Sequence, residues 1–236
     1  MSIAENIAQI RARMHAAAIE AGRDPAEILL CAATKMNDAE AVRAAIRGGV
    51  DCCGENRVQE LTAKLAEDAY AGAPVHFIGH LQTNKVRQVV GKVDLIQSVD
   101  RLKLLSAIQA EAARLGIRQD ILLEVNIGGE ESKSGFAPHE IPGIVDKIGE
   151  LPNIRLRGLM TIPPICQNKG ENHKFFQKIL QLSVDITTKK YDNVQVDVLS
   201  MGMSDDFEDA IACGTTMIRV GTAIFGPRDY AKLHHA

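Results

Sequence analysis

ILLCAATK, residues 28–35, and LSMGMSDDFEDAIACGTTMIRVGTAIFG, residues 199–226, stand near opposite ends of a 236-residue chain, and together they set the reading of everything between. The first is a strand-like apolar run closed by a lysine, and the second ends in another such run after an acidic, helix-spaced stretch. The same alternation fills the interval. Apolar runs near 28–35, 50–56, 75–81, 95–99, 120–127, 154–161, 194–201 and 217–225 are separated by helical patterns near 38–47, 57–70, 83–91, 101–116, 138–150, 171–189 and 205–213. Ahead of them Ile3, Ile7, Ile10, Met14 and Ala18 recur at three to four residues, one apolar face of a helix that Gly22 ends. The clearest internal helix places Leu102, Leu105, Ile108, Ala112 and Leu115 on one face, with Asp100 as its cap and Gly116 as its stop.

Eight strands alternating with helices in this length fit an α/β fold of the (β/α)8 barrel type with an extra N-terminal helix. A doubly wound sheet usually needs fewer strands. No linker, low-complexity tract or repeat divides the chain, so residues 1–236 read as a single domain.

A barrel opens the C-terminal ends of all its strands on one face. Lys35, Asn56, Ser200 and the pair Gly221-Thr222 would meet there, although they are scattered through the sequence. Residues i and i+2 share a face of a strand, so Cys31, Ala33 and Lys35 point together, as do Val196, Val198 and Ser200, and Met217, Arg219 and Gly221. A partly buried lysine is an amine prepared to attack a carbonyl. A serine hydroxyl, a Gly-Thr pair and helix N-termini suit a phosphate, and the loops after strands 7 and 8 are the usual phosphate site of this architecture. Amine and phosphate cradle together point to pyridoxal phosphate. Small residues beneath Lys35 leave room for a flat ring, and Arg219, a permanent donor, would keep a facing pyridine nitrogen unprotonated. That weakens the ring as an electron sink.

Each of these residues also has a plainer role. A lysine at a strand end is often a snorkelling surface residue. Ser200 could cap the next helix, Asn56 the helix after strand 2, and Arg219 could pair with Glu124, which shares a face of strand 5 with Asn126. His80 is either a satisfied residue at the mouth or a general acid.

Bulk properties narrow the partners. A net charge of -3 argues against broad attraction to nucleic acid or membrane surfaces, and no apolar run is long enough to span a bilayer. The N-terminus is amphipathic rather than a signal peptide, so the chain reads as cytoplasmic. Five cysteines, Cys31, Cys52, Cys53, Cys166 and Cys213, lack paired or metal-type spacing and read as reduced core thiols. Seven histidines form no H-E-x-x-H and no His/Cys tetrad, which argues against a metal, and His234 and His235 fall in a tail expected to fray. Gly128, Lys133 and Ser134 imitate a nucleotide-binding loop, but Ser132 stands where its second glycine must be. Lys85, Arg87 and Lys92 make a basic patch without the aromatic platforms that single-stranded nucleic acid needs.

AATK (32–35), GENRVQEL (54–61), HFIGHLQTNK (76–85), SVDR (98–101), VNIGGEESKSGF (125–136), GLMTIPP (158–164), LSMGMSDDFEDAI and RVGTAIFG occur in the order found in pyridoxal phosphate homeostasis proteins, also called YggS-type or proline synthase co-transcribed proteins. The chain resembles that family over nearly its whole length. The resemblance implies the barrel fold of the alanine racemase N-terminal domain, holding pyridoxal phosphate as an internal aldimine on Lys35. It implies Ser200, Gly221 and Thr222 at the phosphate, Arg219 at the pyridine nitrogen, and Asn56 with Met160 around the cofactor. Residues 165–176 depart from the family pattern, with Asn168, Lys169, His173 and Lys174 where an acidic segment and an arginine are usual.

Related racemases carry a second, β-rich domain whose tyrosine supplies an acid opposite the lysine, and nothing after Gly226 provides one here. The resemblance therefore implies a protein of vitamin B6 and amino-acid homeostasis with little or no turnover, whose partners would be apo-enzymes that accept the cofactor. A monomer is expected. Two enzymatic readings stay open: a small racemase drawing its second acid from His80 or a cysteine, and an aldolase using Lys35 without a cofactor.

Overall fold

The structure, a computed structural model, describes residues 1–130, 133–165, 168 and 170–227. Ser132, Cys166, Lys169, His234 and His235 lie outside the described residues. Eight parallel strands close into a barrel in sequence order: β1 (Leu29–Ala33), β2 (Cys52–Glu55), β3 (Val75–Phe77), β4 (Leu95–Val99), β5 (Gln119–Val125), β6 (Ile154–Thr161), β7 (Val194–Ser200) and β8 (Met217–Val220). The seam pairs β1 with β8, with Cys31 opposite Arg219. Around the strands run α1 (Ile3–Glu20), α2 (Ala39–Arg47), α3 (Val58–Ala66), α4 (Leu102–Leu115), α5 (Ile141–Gly149), α6 (His173–Thr187), α7 (Phe207–Ala212) and α8 (Thr222–Phe225). The (β/α)8 expectation is met.

α1 is the extra helix. Ser2 and Glu5 form a reciprocal capping box at its start, and Gly22, at φ +67°, turns the chain away from its end. Its Ile7, Ile10, Met14 and Ala18 are buried as the periodicity predicts. Burial of each large apolar side chain is worth about 1.5–3 kcal/mol, so the face outweighs the cap, worth about 1 kcal/mol. Asn6 Nδ2 donates to Ile224 O at 2.8 Å, which fastens α1 to the short helix after β8.

Apolar side chains occupy two regions, as barrel geometry demands. One lies between the strands and the helices. The other fills the lumen with Cys31, Cys52, Leu95, Leu122, Met160, Val198 and Met217. Gly158, at φ +144°, marks a register shift between β6 and its neighbours, and a side chain there would overlap the Val198 carbonyl oxygen.

Three local expectations need correction. Between β3 and β4 the chain forms a 3-10 helix, Thr83–Gln88, instead of an α-helix. Buried Val86 and Val89 fall three apart, the period of that tighter turn, and the β-branched pair Val89-Val90 disfavours continuation. In α4 the N-cap is Arg101, because the Asp100 carboxylate is engaged by Arg101 and His80. The buried face of α4 comprises Leu104, Leu105, Ile108, Glu111 and Ala112, while Leu102 and Leu115 stand 39% and 42% exposed. Glu111 interrupts the apolar period and hid that face, since its carboxylate is satisfied by Arg114. Finally, Arg57 rather than Asn56 occupies the N-cap of α3.

Candidate functional site

At the C-terminal mouth of the barrel lies a cleft of about 540 Å³ lined by Lys35, Asn56, Ser204, Arg219, Gly221 and Thr222, among others. Lys35 follows β1 and is half-buried. The next residue, Met36, adopts the left-handed conformation at φ +62°, unusual for a side chain of its size. Its N–H donates to Glu60 Oε2 at 2.6 Å, and Asn37 Nδ2 donates to Lys35 O at 3.0 Å, so the backbone that presents the lysine is pinned on both sides.

Beneath that turn is a charged anchor. Glu55 is fully buried at the end of β2, and its carboxylate accepts from Lys64 Nζ, Thr34 Oγ1 and Tyr70 OH at 2.6, 3.0 and 3.1 Å, and from the Asn56 N–H at 2.8 Å. Lys64 Nζ also donates to Thr34 O at 2.8 Å. Asn56 is therefore held by its backbone, and Gly79 allows the chain after β3 to run against it where any side chain would overlap the Asn56 carbonyl oxygen. The Asn56 Oδ1 atom is buried and has no hydrogen-bond partner. A buried acceptor of that kind costs about 1–3 kcal/mol unless a ligand supplies a donor.

Arg219 forms the floor. It is buried, and its Nη1 donates to Ser200 O at 2.8 Å and Ser200 Oγ at 2.6 Å, while Nη2 donates to Thr161 O at 2.9 Å. Burial pulls its pKa down, opposed by Cys31, Glu124 and Asp206, but a guanidinium stays charged in a protein. These bonds use only part of its five-donor fork. Arg219 makes no ion pair with Glu124. The Glu124 carboxyl is instead pushed up to about 7, first by burial and then by Asp100, with Arg219 acting against the rise.

Ser200 is not at the cleft surface. It is fully buried, donates to Gln97 Oε1 at 2.7 Å, and sits below Arg219 as a strut. Met160 is likewise in the lumen, 1% exposed. The lining serine is Ser204, four residues later, which the sequence reading passed over. Alternation rightly sent Ser200 inward, but inward on a barrel strand leads to the packed lumen, whereas the loop before α7 carries Ser204 to the mouth. His80 is exposed on the rim, its Nδ1 3.1 Å from Asp100 Oδ2, and does not line the cleft.

The strand register also assembles what sequence spacing does not show. Cys31, Cys52 and His76 meet in the lumen, and Cys31 lies two residues before cleft-lining Ala33 on the same strand. The Cys31 thiol is drawn down to about 6, chiefly by the hydrogen bond from Cys52, whose own thiol is pushed well up.

The family model described as alanine racemase, N-terminal domain, matches residues 2–229. The pyridoxal phosphate homeostasis protein of Pseudomonas aeruginosa is 43% identical over 229 residues, 97% of each chain. The chain belongs to the pyridoxal phosphate homeostasis protein family. The Aquifex aeolicus member of this family is 42% identical and is covered completely by 98% of this chain. PipY of Synechococcus elongatus, solved with pyridoxal phosphate bound, superposes with a TM-score of 0.82 at 32% identity over 95% of this chain and all of that one. An alanine racemase of Clostridium difficile shares 15% identity at a TM-score of 0.72, with 95% of this chain covering 56% of that one. At that identity the likeness is one of fold alone. The homeostasis proteins thus match this chain end to end, whereas the racemase extends well beyond it.

Proposed function

We propose that this chain binds pyridoxal phosphate as one unit and serves its homeostasis with little or no catalytic turnover. The observation that carries the reading is the gathering of Lys35, Arg219, Ser204, Gly221 and Thr222 on one cleft. The residues present suit the group. Lys35 supplies the amine, and the remaining Arg219 donors suit the pyridine nitrogen. The orphaned Asn56 Oδ1 suits a ring hydroxyl. Ser204, Thr222 and the Thr222 and Ala223 N–H groups at the start of α8 suit the phosphate, while the Ile224 N–H already donates to Gly221 O at 2.9 Å. In this assignment Ser200 and Met160 support the floor from below. The cofactor's own contribution, when bound, is an electrophilic aldehyde conjugated to a ring that can spread negative charge.

Turnover as a racemase needs a second acid opposite Lys35. The described lining residues include no tyrosine, histidine or cysteine, and their carboxylate, Asp205, adjoins Ser204 on the side assigned to the phosphate; His80 stands outside the cleft, paired with Asp100. The non-catalytic reading rests on that. Apo-enzymes are the proposed recipients, the monomer the proposed state and the cytoplasm the proposed compartment, in keeping with free buried thiols at Cys31, Cys52, Cys53 and Cys213.

The test is an absorption spectrum of protein reconstituted with pyridoxal phosphate, beside Lys35→Ala, before and after D- or L-alanine. A visible band present in the wild type, absent in Lys35→Ala, and no racemisation support the proposal. A protein that stays colourless overturns the binding site, and racemisation at about 1 per second or faster overturns the non-catalytic part.

A further inference from the structure

Below Arg219 the lumen holds two thiols and an imidazole from three successive strands. Cys31 on β1 and Cys52 on β2 are register partners, His76 comes from β3, and their sulfur and nitrogen atoms all lie within 4.8 Å of one another. All three residues are buried. Nothing in the proposed cofactor cleft needs them. Cys53, next in sequence, belongs to the other apolar region, between sheet and helices.

We propose that Cys31, Cys52 and His76 form a binding site for a cuprous ion. The donors are soft sulfur and borderline nitrogen, a set that selects Cu+ or Zn2+ and not the hard cations. Two features favour the monovalent ion. Structural zinc sites take four protein ligands, and among the described residues no fourth cysteine, histidine or carboxylate joins this group. A cuprous ion on two thiolates also carries one negative charge, which suits the Arg219 guanidinium opposite Cys31 across the seam. In a lumen that excludes water, such balance decides whether a charged group is tolerated. Loading is a ligand exchange without redox change: the Cu–S bonds to glutathione break as Cu–S bonds to Cys31 and Cys52 and a Cu–N bond to His76 form, and the two protons lost by the protein thiols pass to the released glutathione thiolates or to solvent.

The surroundings can orient the imidazole. His76 Nδ1 lies 2.9 Å from Gln97 Nε2, so Nε2 of the ring is left for a metal. A half-turn of the Gln97 amide would bring its carbonyl oxygen to Nδ1–H, the support that metal-bound histidines use, and would present its NH₂ to Ser200 Oγ. Gly54 lets the Cys31 thiol and Ile78 close against the β2 backbone, where a Cβ would stand 2.9 Å from Cys31 Sγ and 2.7 Å from Ile78 Cδ1.

The experiment loads the reduced full-length protein anaerobically with Cu+ carried by glutathione, removes excess carrier, and measures bound copper and its affinity against a chromogenic chelator. One copper per chain is expected, with affinity reduced about 100-fold or more in Cys31→Ala and Cys52→Ala and unchanged in Cys53→Ala. X-ray absorption of the loaded wild type, which needs no variant to fold, should show two sulfur neighbours and one imidazole nitrogen. Copper not retained, retained equally by Cys31→Ala and Cys52→Ala, lacking that sulfur pair, or replaced by a preference for Zn2+ would overturn the proposal. None of these measurements uses pyridoxal phosphate, so their failure leaves the cofactor reading standing.

Discussion

Lys64 Nζ lies 2.6 Å from Glu55 Oε2, with the two side chains 7% and 0% exposed, directly beneath the turn that carries Lys35. The pair joins α3 to the end of β2, and through the Thr34 carbonyl it reaches β1 as well. Lys64→Met strands a buried carboxylate and should cost about 3–5 kcal/mol. Urea unfolding measures it. Because a buried pair can be replaced by apolar groups at little cost, Glu55→Leu with Lys64→Met should recover part of the loss; a single variant as stable as wild type would refute the anchor.

Ser204 and Ser200 should separate in their effects. A charge-assisted hydrogen bond is worth about 1.5–3 kcal/mol, so Ser204→Ala should weaken pyridoxal phosphate binding roughly 10- to 100-fold with little change in stability. Ser200→Ala leaves Gln97 Oε1 and an Arg219 donor without their partner and should lower stability by about 1–3 kcal/mol. Cofactor titration and urea unfolding of both variants decide between this order and the reverse.

Glu124 gives the fold a pH signature. Its carboxyl titrates near 7 in the folded protein against an ordinary value of 4.5. Below 4.5 both states hold the proton and the contribution to stability is complete. As pH rises toward 7 the unfolded chain releases it first, so stability falls, and the loss levels off above 7 at up to about 3 kcal/mol. Glu124→Gln should remove this segment and be more stable than wild type at pH 8. Unfolding curves at pH 5 and pH 8 test the sign.

Gly158→Ala is the severest single change expected. Its Cβ would overlap the Val198 carbonyl oxygen at a φ that disfavours any side chain, and two strands would have to separate to admit it. A loss of about 4 kcal/mol or more follows, read as insoluble expression or a greatly lowered melting temperature.

The barrel was legible because period-two runs and helical spacings alternate eight times, and the mouth because Lys35, Asn56, Arg219, Gly221 and Thr222 end or follow strands. Ser204 escaped notice since it lies in a loop, where no periodicity assigns a direction. The Glu55–Lys64 anchor was hidden because burial of a charge is invisible until its partner, nine residues away on another element, is placed. Cys31, Cys52 and His76 escaped for a related reason: metal motifs are sought as spacings along the chain, and these three are neighbours only across the sheet.

The β1–β8 seam carries a consequence for synthesis. Lys35 leaves the ribosome well ahead of Ser204, Arg219, Gly221 and Thr222, the residues that join it on the cleft. Parallel pairing of such distant strands is among the slowest contacts a chain can form. Until β8 is made, a nascent chain therefore carries the Lys35 amine with no pocket to select what it meets, and selectivity arrives in a single event, when β8 closes the ring.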